Sequence, residues 1–537
     1  MYLQVLFTSI ASISLWCLLR RQRTAHFLNI PGPEPKSWWT GNLMQFFDVR
    51  EGWQFHEMLL ERFGAIVRYY TFLKEKRLYV YDTKALHHIL VKDQTIFEEP
   101  TSFLEFNKLA FGEGLLATLG DHHRKQRKVL NPVFSTLHMR NILPTFYEIA
   151  HQLESTLKAK LQSGPQEIDM LNWLSRSALE FIGRSGLGHS FDPLTEDTPA
   201  QKYTSSFKEL VERANGLMLL RIYIIPWAVK IGSPAFRRLV CRLIPSSNIH
   251  RIQELVDYLW EVSVEIYNKK KAELESEDKV FANETGELGA DILKVLMKEN
   301  SKVSGDDQLD EKEILGQETT SNAMTRMIYL LSLHPEVQDK LRKEVTEARA
   351  LGDPDYDSLE ALPYLDAVCR ETLRLFPPIP LLFRVARRDT ILPLSKPIRG
   401  MDNTQMTEIA IPKNTNIMIS ILNCNRNPDI WGKDALEWKP ERWLQPLPQS
   451  VQDAKIPGVY SPLMTFNAGG RSCIGFKFSQ LEMKVVMSIL IDSFKFTPAD
   501  KEITWQMGAV ATPVVVNDTG SLPQLPVILH LTKNTVA

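Results

Sequence analysis

The sequence predicts a mainly α chain with small β-sheets, an α+β architecture. Three observations predict it. From Thr83 to about Arg374 apolar residues recur at three- and four-residue spacing, as at Leu153, Leu157 and Leu161 and around Leu330, Leu331 and Leu333, which is the period of buried helix faces. Strand-like runs are confined to 66–81, to a proline-marked stretch from Pro377 to Pro462 and to the close of the chain. Composition is that of a folded globular protein, with 44% apolar and 24% charged residues, which excludes a disordered tail, a collagen and a multi-span transporter. The 63 basic residues balance 64 acidic ones, so the footprint of a nucleic-acid binder is missing. The five cysteines, Cys17, Cys241, Cys369, Cys424 and Cys473, are sparse and odd in number and form no CxxC pair. That pattern points to a reducing compartment and excludes a disulfide framework, a zinc ribbon and a thioredoxin-like motif.

Residues 2–19, YLQVLFTSIASISLWCLL, carry no charge, and as a helix they span about 27 Å, enough for a bilayer core. Arg20, Arg21 and Arg23 follow and no charge precedes, so the run reads as a retained transmembrane anchor with the rest of the chain in the cytosol. A cleaved signal peptide would carry positive charge before the run and small residues after it. Residues 20–36, basic and then proline-rich, read as a stiff linker, and 37–537 as one catalytic domain. The apolar runs at Ile66–Tyr70 and Leu78–Tyr81, with Lys74-Glu75-Lys76 between them, read as a hairpin. A second apolar run, 216–232, is interrupted by Arg221 and Pro226. It fits either a core segment or a membrane-facing lip beside a substrate entrance, and not a second span.

The strongest local signal is Phe466-Asn467-Ala468-Gly469-Gly470-Arg471-Ser472-Cys473-Ile474-Gly475. Its glycines allow positive φ and close approach of a bulky partner. A helix with Phe478, Leu481, Met483, Val486 and Ile489 as apolar positions is predicted directly after. A cysteine at a helix start has its thiolate favoured, as a soft metal ligand requires. Phe466, Gly469, Arg471, Cys473 and Gly475 resemble the haem-binding loop of the cytochrome P450 family, F-x-x-G-x-R-x-C-x-G. The resemblance implies haem b with Cys473 as the axial thiolate, which favours O–O cleavage, and Arg471 on a haem propionate.

Glu371 and Arg374 lie three apart on a predicted helix and so share a face; alone, such a pair reads as a solvated surface pair. It resembles the family's E-x-x-R motif, and Lys439-Pro440-Glu441-Arg442-Trp443 resembles the P-E-R-F segment. Together these imply a buried structural triad of Glu371, Arg374 and Arg442. The cluster at 120–127 reads alone as a solvated basic face, and its adjacent His122 and His123 diverge too far to share a metal. The resemblance implies that His123 and Arg127 hold one propionate and that Arg384 holds the second. Gly112–Ala117 fits G-x-G-x-x-A without a parallel-strand unit around it, so no nicotinamide or flavin domain is read there. Electrons then come from a partner NADPH–cytochrome reductase.

Gly316-Gln317-Glu318-Thr319-Thr320 resembles the oxygen-activating motif, with Glu318 and Thr319 as the acid–alcohol pair that relays protons. Here the sequence departs from the family. An apolar run precedes that motif in the family, whereas Gly305–Glu313 is strongly polar, and Leu315 stands where a small residue belongs. About three turns of helix, ~16 Å, are missing. A deletion, an alternative transcript and a mistaken gene model all account for the gap, and the chain as written is expected to be impaired in turnover. The resemblance spans about Pro31 to Leu531 and implies a monooxygenase held on the endoplasmic reticulum membrane, using dioxygen. Substrate contacts fall on Phe103–Phe111, 216–232, Ile379–Phe383 and Ala509–Pro513, which are mostly apolar and so suit a lipophilic substrate. The style resembles fungal secondary-metabolite members, hence a terpenoid or related metabolite. Two alternatives stand beside this reading: a haem-binding pseudoenzyme or impaired isoform, and a haem-thiolate isomerase or peroxygenase.

Overall fold

In the computed structural model the runs flanking Lys74 pair as an antiparallel hairpin, Ile66 opposite Val80 and Tyr70 opposite Lys76. The structure describes residues 24–195, 202–277, 293–294, 317–516 and 522–532. The predicted anchor at 2–19 and the polar stretch at 305–316 lie outside them. Among the described residues no helix is long and apolar enough to cross a membrane. The strands are β1 (Ile66–Tyr70), β2 (Lys76–Val80), β3 (Phe97–Glu98), β4 (Gln166–Asp169), β5 (Leu381–Ala386), β6 (Thr390–Arg399), β7 (Gln405–Ile411), β8 (Asn416–Ser420), β9 (Phe494–Pro498), β10 (Ile503–Gln506), β11 (Thr512–Val515) and β12 (Pro526–Leu531).

The chain divides into two compact units. The first comprises residues 1–100, 370–473 and 502–523 and holds most of the strands. Its main sheet has the order β1-β2-β8-β5-β3, with the pairs β6-β7 and β10-β11 beside it. All five residues of β1 and of β2 are buried, so both faces of the hairpin are covered. The described part of the predicted linker, residues 24–36, packs on this unit. Phe27 and Ile30 are buried, and the Arg68 N–H donates to the Pro31 carbonyl at 2.9 Å. A Cβ on Gly32 would sit 1.9 Å from the Arg68 carbonyl oxygen, so the linker lies flush on β1 only because that residue is glycine.

The extended stretch predicted from Pro377 to Pro462 is strand only as far as Ser420. Short helices follow at Ile421–Arg426 and Pro428–Trp431. Side-chain caps start them: Ser420 accepts from the Asn423 N–H at 2.9 Å and Asn427 from the Asp429 N–H at 3.0 Å, with Pro428 in the first turn. The prolines mark helix starts there rather than extended chain.

The second unit comprises residues 101–369, 474–501 and 524–537 and is chiefly helical, with one sheet of order β4-β12-β9. The Phe476–Ser493 helix packs against Thr136–Lys160 and Pro335–Ala348, and Gln317–Leu333 packs against Met170–Phe181. Leu481, Met483, Val485, Val486, Ile489, Leu490 and Ile491 are fully buried, as the apolar positions of a central helix must be. Phe146 binds the core, edge-on to Phe478 at 4.9 Å and tilted against Phe181 at 4.8 Å. Lys484, buried on the same helix, is held by Glu360 at 2.9 Å and Asp366 at 3.0 Å.

In the first unit His56 is fully enclosed, with Nδ1 2.8 Å from the Tyr79 hydroxyl, which donates to Ser420 Oγ at 2.6 Å. Burial pulls its imidazole down to about 3. The unfolded chain takes up that proton near pH 6.5 and the folded chain does not, so the stabilisation is complete above 6.5 and is lost as pH falls. Between pH 6.5 and 5.5 the wild type is expected to lose about 1 kcal/mol more stability than His56→Gln. Urea denaturation at the two pH values checks this, and parallel losses in both proteins contradict it.

Candidate functional site

The 466–475 loop closes on itself. The Cys473 N–H donates to the Phe466 carbonyl at 2.9 Å, and the Asn467 side-chain amide donates to the Arg471 carbonyl at 2.9 Å. Gly469 has φ +66°, and a Cβ there would meet the Leu90 carbonyl oxygen at 1.9 Å. Only glycine lets this loop dock on the chain at residue 90. The Gly470 N–H donates to Gln94 Oε1 at 2.9 Å and secures the same contact. Gly475 shows neither constraint, since its φ is −88° and a Cβ would make ordinary contact with Phe134 at 3.8 Å. Phe466 is buried, its ring edge-on to Tyr460 at 5.7 Å.

Cys473 does not start the following helix. Helical residues begin at Phe476, with Gly475 as the N-cap, and a short 3₁₀ turn, Gly469–Arg471, precedes the cysteine. Its thiol is exposed, whereas Cys369 and Cys424 are buried. Burial pushes the Cys424 thiol far above its ordinary range, which leaves it an inert core residue.

The Glu371 carboxylate and the Arg374 guanidinium are both fully buried and form a fork at 2.8 and 2.8 Å. Arg442 adds a longer contact to Glu371 at 3.4 Å and pairs with Asp434 at 2.9 Å. The triad read from sequence is thus brought together, but Glu371 also accepts from Trp443 Nε1 at 2.9 Å and from the Lys439 N–H at 3.1 Å. Arg374 donates in turn to the carbonyls of Asn425, Ala435 and Glu437. Asn425 carries the network toward the cysteine loop. Its Oδ1 accepts from the Met464 N–H at 2.8 Å, and its Nδ2 donates to Thr465 Oγ1 at 2.9 Å. Arg370 adds a cation–π contact, 4.3 Å above the Tyr460 ring.

Arg384 on β5 and Arg471 on the loop converge on one buried carboxylate. Glu99 Oε1 lies 3.2 Å from Arg384 Nη2, and Glu99 Oε2 lies 3.2 Å from Arg471 Nη2. Burial holds Arg384 below the usual guanidinium range, and Glu99 opposes that shift. An exposed thiol on a glycine-docked loop, with two guanidiniums gathered around a carboxylate, is the donor set a propionate-bearing iron porphyrin needs. The residues present fit that group.

In the second unit the Gly120–Leu130 helix splits the basic cluster. His123, Gln126 and Leu130 are buried and Arg127 is half-buried, while His122, Arg124, Lys125 and Lys128 are exposed. The spacing i, i+3, i+4, i+7 puts His123 and Arg127 on the inward face. Glu318 and Thr319 are half-buried in the first turn of Gln317–Leu333. The Glu318 carbonyl accepts from Ser321 Oγ at 3.1 Å and Asn322 Nδ2 at 2.7 Å. Thr320 donates to Ser479 Oγ at 3.0 Å and joins this turn to the helix that follows the cysteine loop.

In the second unit two of the predicted substrate segments meet, and in the first unit Ala509–Pro513 meets the residue just before Ile379–Phe383. The Ala511 N–H donates to the Pro378 carbonyl at 2.8 Å, and Arg221 stacks 3.8 Å above the Phe106 ring. Glu99, Trp443, Asp434, Asn425 and Ser479 were not read from sequence. Only Trp443, one residue past Arg442, stood inside a quoted motif.

The cytochrome P450 family model matches residues 31–515 of this chain. The chain is 46% identical over 536 residues to cytochrome P450 monooxygenase 91 of Postia placenta, covering 97% of this chain and 98% of the relative. It is 40% identical to the ganoderic acid synthetase of Ganoderma lucidum, covering 95% of each. It is 36% identical to a cytochrome P450 monooxygenase of Hericium erinaceus, covering 94% of each.

Glu371→Gln removes the anion from the fully buried Arg374 guanidinium. The expected loss is about 3–5 kcal/mol, because a stranded buried charge costs its desolvation. Denaturant unfolding measures it, and a change below about 1 kcal/mol contradicts a network that depends on Glu371.

Proposed function

This chain is a member of the cytochrome P450 family, whose members are haem-thiolate monooxygenases, and on that premise we propose that it inserts one oxygen atom of O2 into a lipophilic, terpenoid-like metabolite. Electrons come from an NADPH–cytochrome reductase. The catalytic domain, 37–537, sits on the cytosolic side of the endoplasmic reticulum behind the 2–19 anchor. The observation that carries the reading is the exposed Cys473 thiol on a loop docked through Gly469. The relative named as a ganoderic acid synthetase, at 40% identity, supports the terpenoid class.

Bound haem supplies the redox and oxygen-activating chemistry, and the residues around it do the rest. Cys473 would hold the haem iron through its thiolate, with Phe466 and Gly469 shaping its loop and Gly475 capping the helix that follows. Arg471, Arg384, His123 and Arg127 are the residues that would hold the propionates. Glu318 and Thr319 move protons inward by general acid–base exchange. Glu371, Arg374 and Arg442 hold the loop in place. The Glu318–Thr319 pair weighs against an isomerase or peroxygenase, which needs no relay of this kind.

A second reading rests on the polar run Gly305–Glu313, where an apolar helix belongs in the family. In that reading the chain binds haem but turns over poorly. Transcript sequencing across Leu309–Thr320 and turnover of the encoded protein decide between the two.

Membrane attachment draws a second support from the 216–244 region. Trp227 is 70% exposed and Leu243 74%, and Ile231, Phe236 and Leu239 are exposed beside them. Arg237, Arg238 and Arg242 interleave with these apolar residues in the Pro234–Leu243 helix, the make-up of an interfacial helix.

The ferrous carbon-monoxide complex of the wild type is expected to give a thiolate-type spectrum, lost in Cys473→Ser. With reductase and NADPH, Thr319→Ala is expected to lower product formation about a hundredfold. A Cys473→Ser protein that keeps the thiolate-type spectrum contradicts the ligand assignment. In vesicles with brominated acyl chains, the full-length protein is expected to show quenching that Trp227→Phe reduces, the remainder coming from Trp16 in the anchor. Identical quenching in both proteins contradicts the membrane-facing lip.

A further inference from the structure

Glu99 is a buried acid that the proposed mechanism leaves unused. It directly follows β3, whose register on β5 pairs Phe97 with Ala386 and Glu98 with Val385. Continued by one residue, that register sets Glu99 across from Arg384, an opposite-charge cross-strand pair. Its backbone is fixed: the Glu99 carbonyl accepts from Arg387 Nη2 at 2.7 Å, and Arg387 Nε reaches the Glu98 carboxylate at 2.9 Å. The carboxylate then spans two guanidiniums, one oxygen to each, at 3.2 Å from Arg384 and 3.2 Å from Arg471. The side chains of Glu99, Arg384 and Arg471 are only 10%, 6% and 17% exposed, so solvent screens their charges little. Two guanidiniums this enclosed repel each other unless an anion lies between them.

Resting on the haem-thiolate reading, we propose that Glu99 is a positioning residue that holds Arg384 and Arg471 convergent and tunes the charge they present to a haem propionate. With Glu99 ionised the three side chains carry one net positive charge; with glutamine in its place they carry two. The extra positive charge beside the porphyrin favours the reduced iron, because reduction adds an electron. An ion pair that served only to hold the chain together would affect stability and leave the iron's potential unchanged.

The test is a spectroelectrochemical titration of the full-length, haem-loaded wild type, Glu99→Gln and Glu99→Asp. Glu99→Gln is expected to favour the ferrous form three- to tenfold, a positive shift of up to about 59 mV for one electron. Glu99→Asp keeps the charge and is expected to stay within about twofold of wild type. Haem uptake by the wild type and Glu99→Asp but not by Glu99→Gln also supports the proposal. A Glu99→Gln potential equal to wild type overturns it, as does failure of both variants to take up haem. A wild type without a thiolate-type carbon-monoxide spectrum sinks the haem-thiolate reading itself, whereas a normal wild type with an unshifted Glu99→Gln sinks only the role of Glu99.

Discussion

The fork between Glu371 and Arg374 is the interaction on which the cysteine loop depends. Burying two charges is expensive, and such a pair adds little net stability over apolar residues of the same volume. What it provides here is geometry. The remaining donors of Arg374 all hold irregular backbone, and Glu371 accepts from one further backbone N–H and two side chains. Arg374 gathers the carbonyls of Asn425, Ala435 and Glu437, and Glu371 gathers Trp443 and the Lys439 N–H. The stretch after Ser420 has no strand ladder of its own before Gln449, only short helical turns, so side-chain bonds from one buried pair stand in for one.

From that pair the constraint runs to the cysteine through particular atoms. Asn425 accepts the Met464 N–H and donates to Thr465, and Thr465 donates to the Leu373 carbonyl on the helix that carries Arg374. The loop that follows is clamped from its other side by the close approach of Gly469 to residue 90. A thiol whose loop is held at both flanks has little conformational freedom left to lose on binding a partner. The helical unit is arranged on the same economy. The Phe476–Ser493 helix is buried almost all round, and Ser479 reaches the turn that bears Glu318 and Thr319 through Thr320.

Much of this was legible in the chain. The hairpin at 66–81 follows from two apolar runs around a charged turn, and the helical middle follows from its three- and four-residue period. The E-x-x-R pair was legible only through family resemblance, because Glu371 and Arg374 taken alone read as a surface pair. The inward face of Gly120–Leu130 was similarly hidden, since a run of histidines, lysines and arginines shows no side on which it is buried. Glu99 gave no signal, being one acid beside another in Glu98-Glu99-Pro100. Only the β3–β5 register and a loop more than 370 residues away make it the shared partner of two arginines.

The sequence by itself determined the family and the candidate residues for its chemistry, one cysteine in a glycine-bearing loop, a Glu–Thr pair and a set of arginines, because these depend on residue identity and local spacing. Tertiary structure decided which charges are buried and with whom, which linker residues pack as core, and where the helix after Cys473 begins. The reason is physical. Hydrophobic period and turn chemistry act over a few residues and are written locally. Desolvation and ion pairing are set by whatever the fold brings alongside, and no local stretch of sequence carries that information.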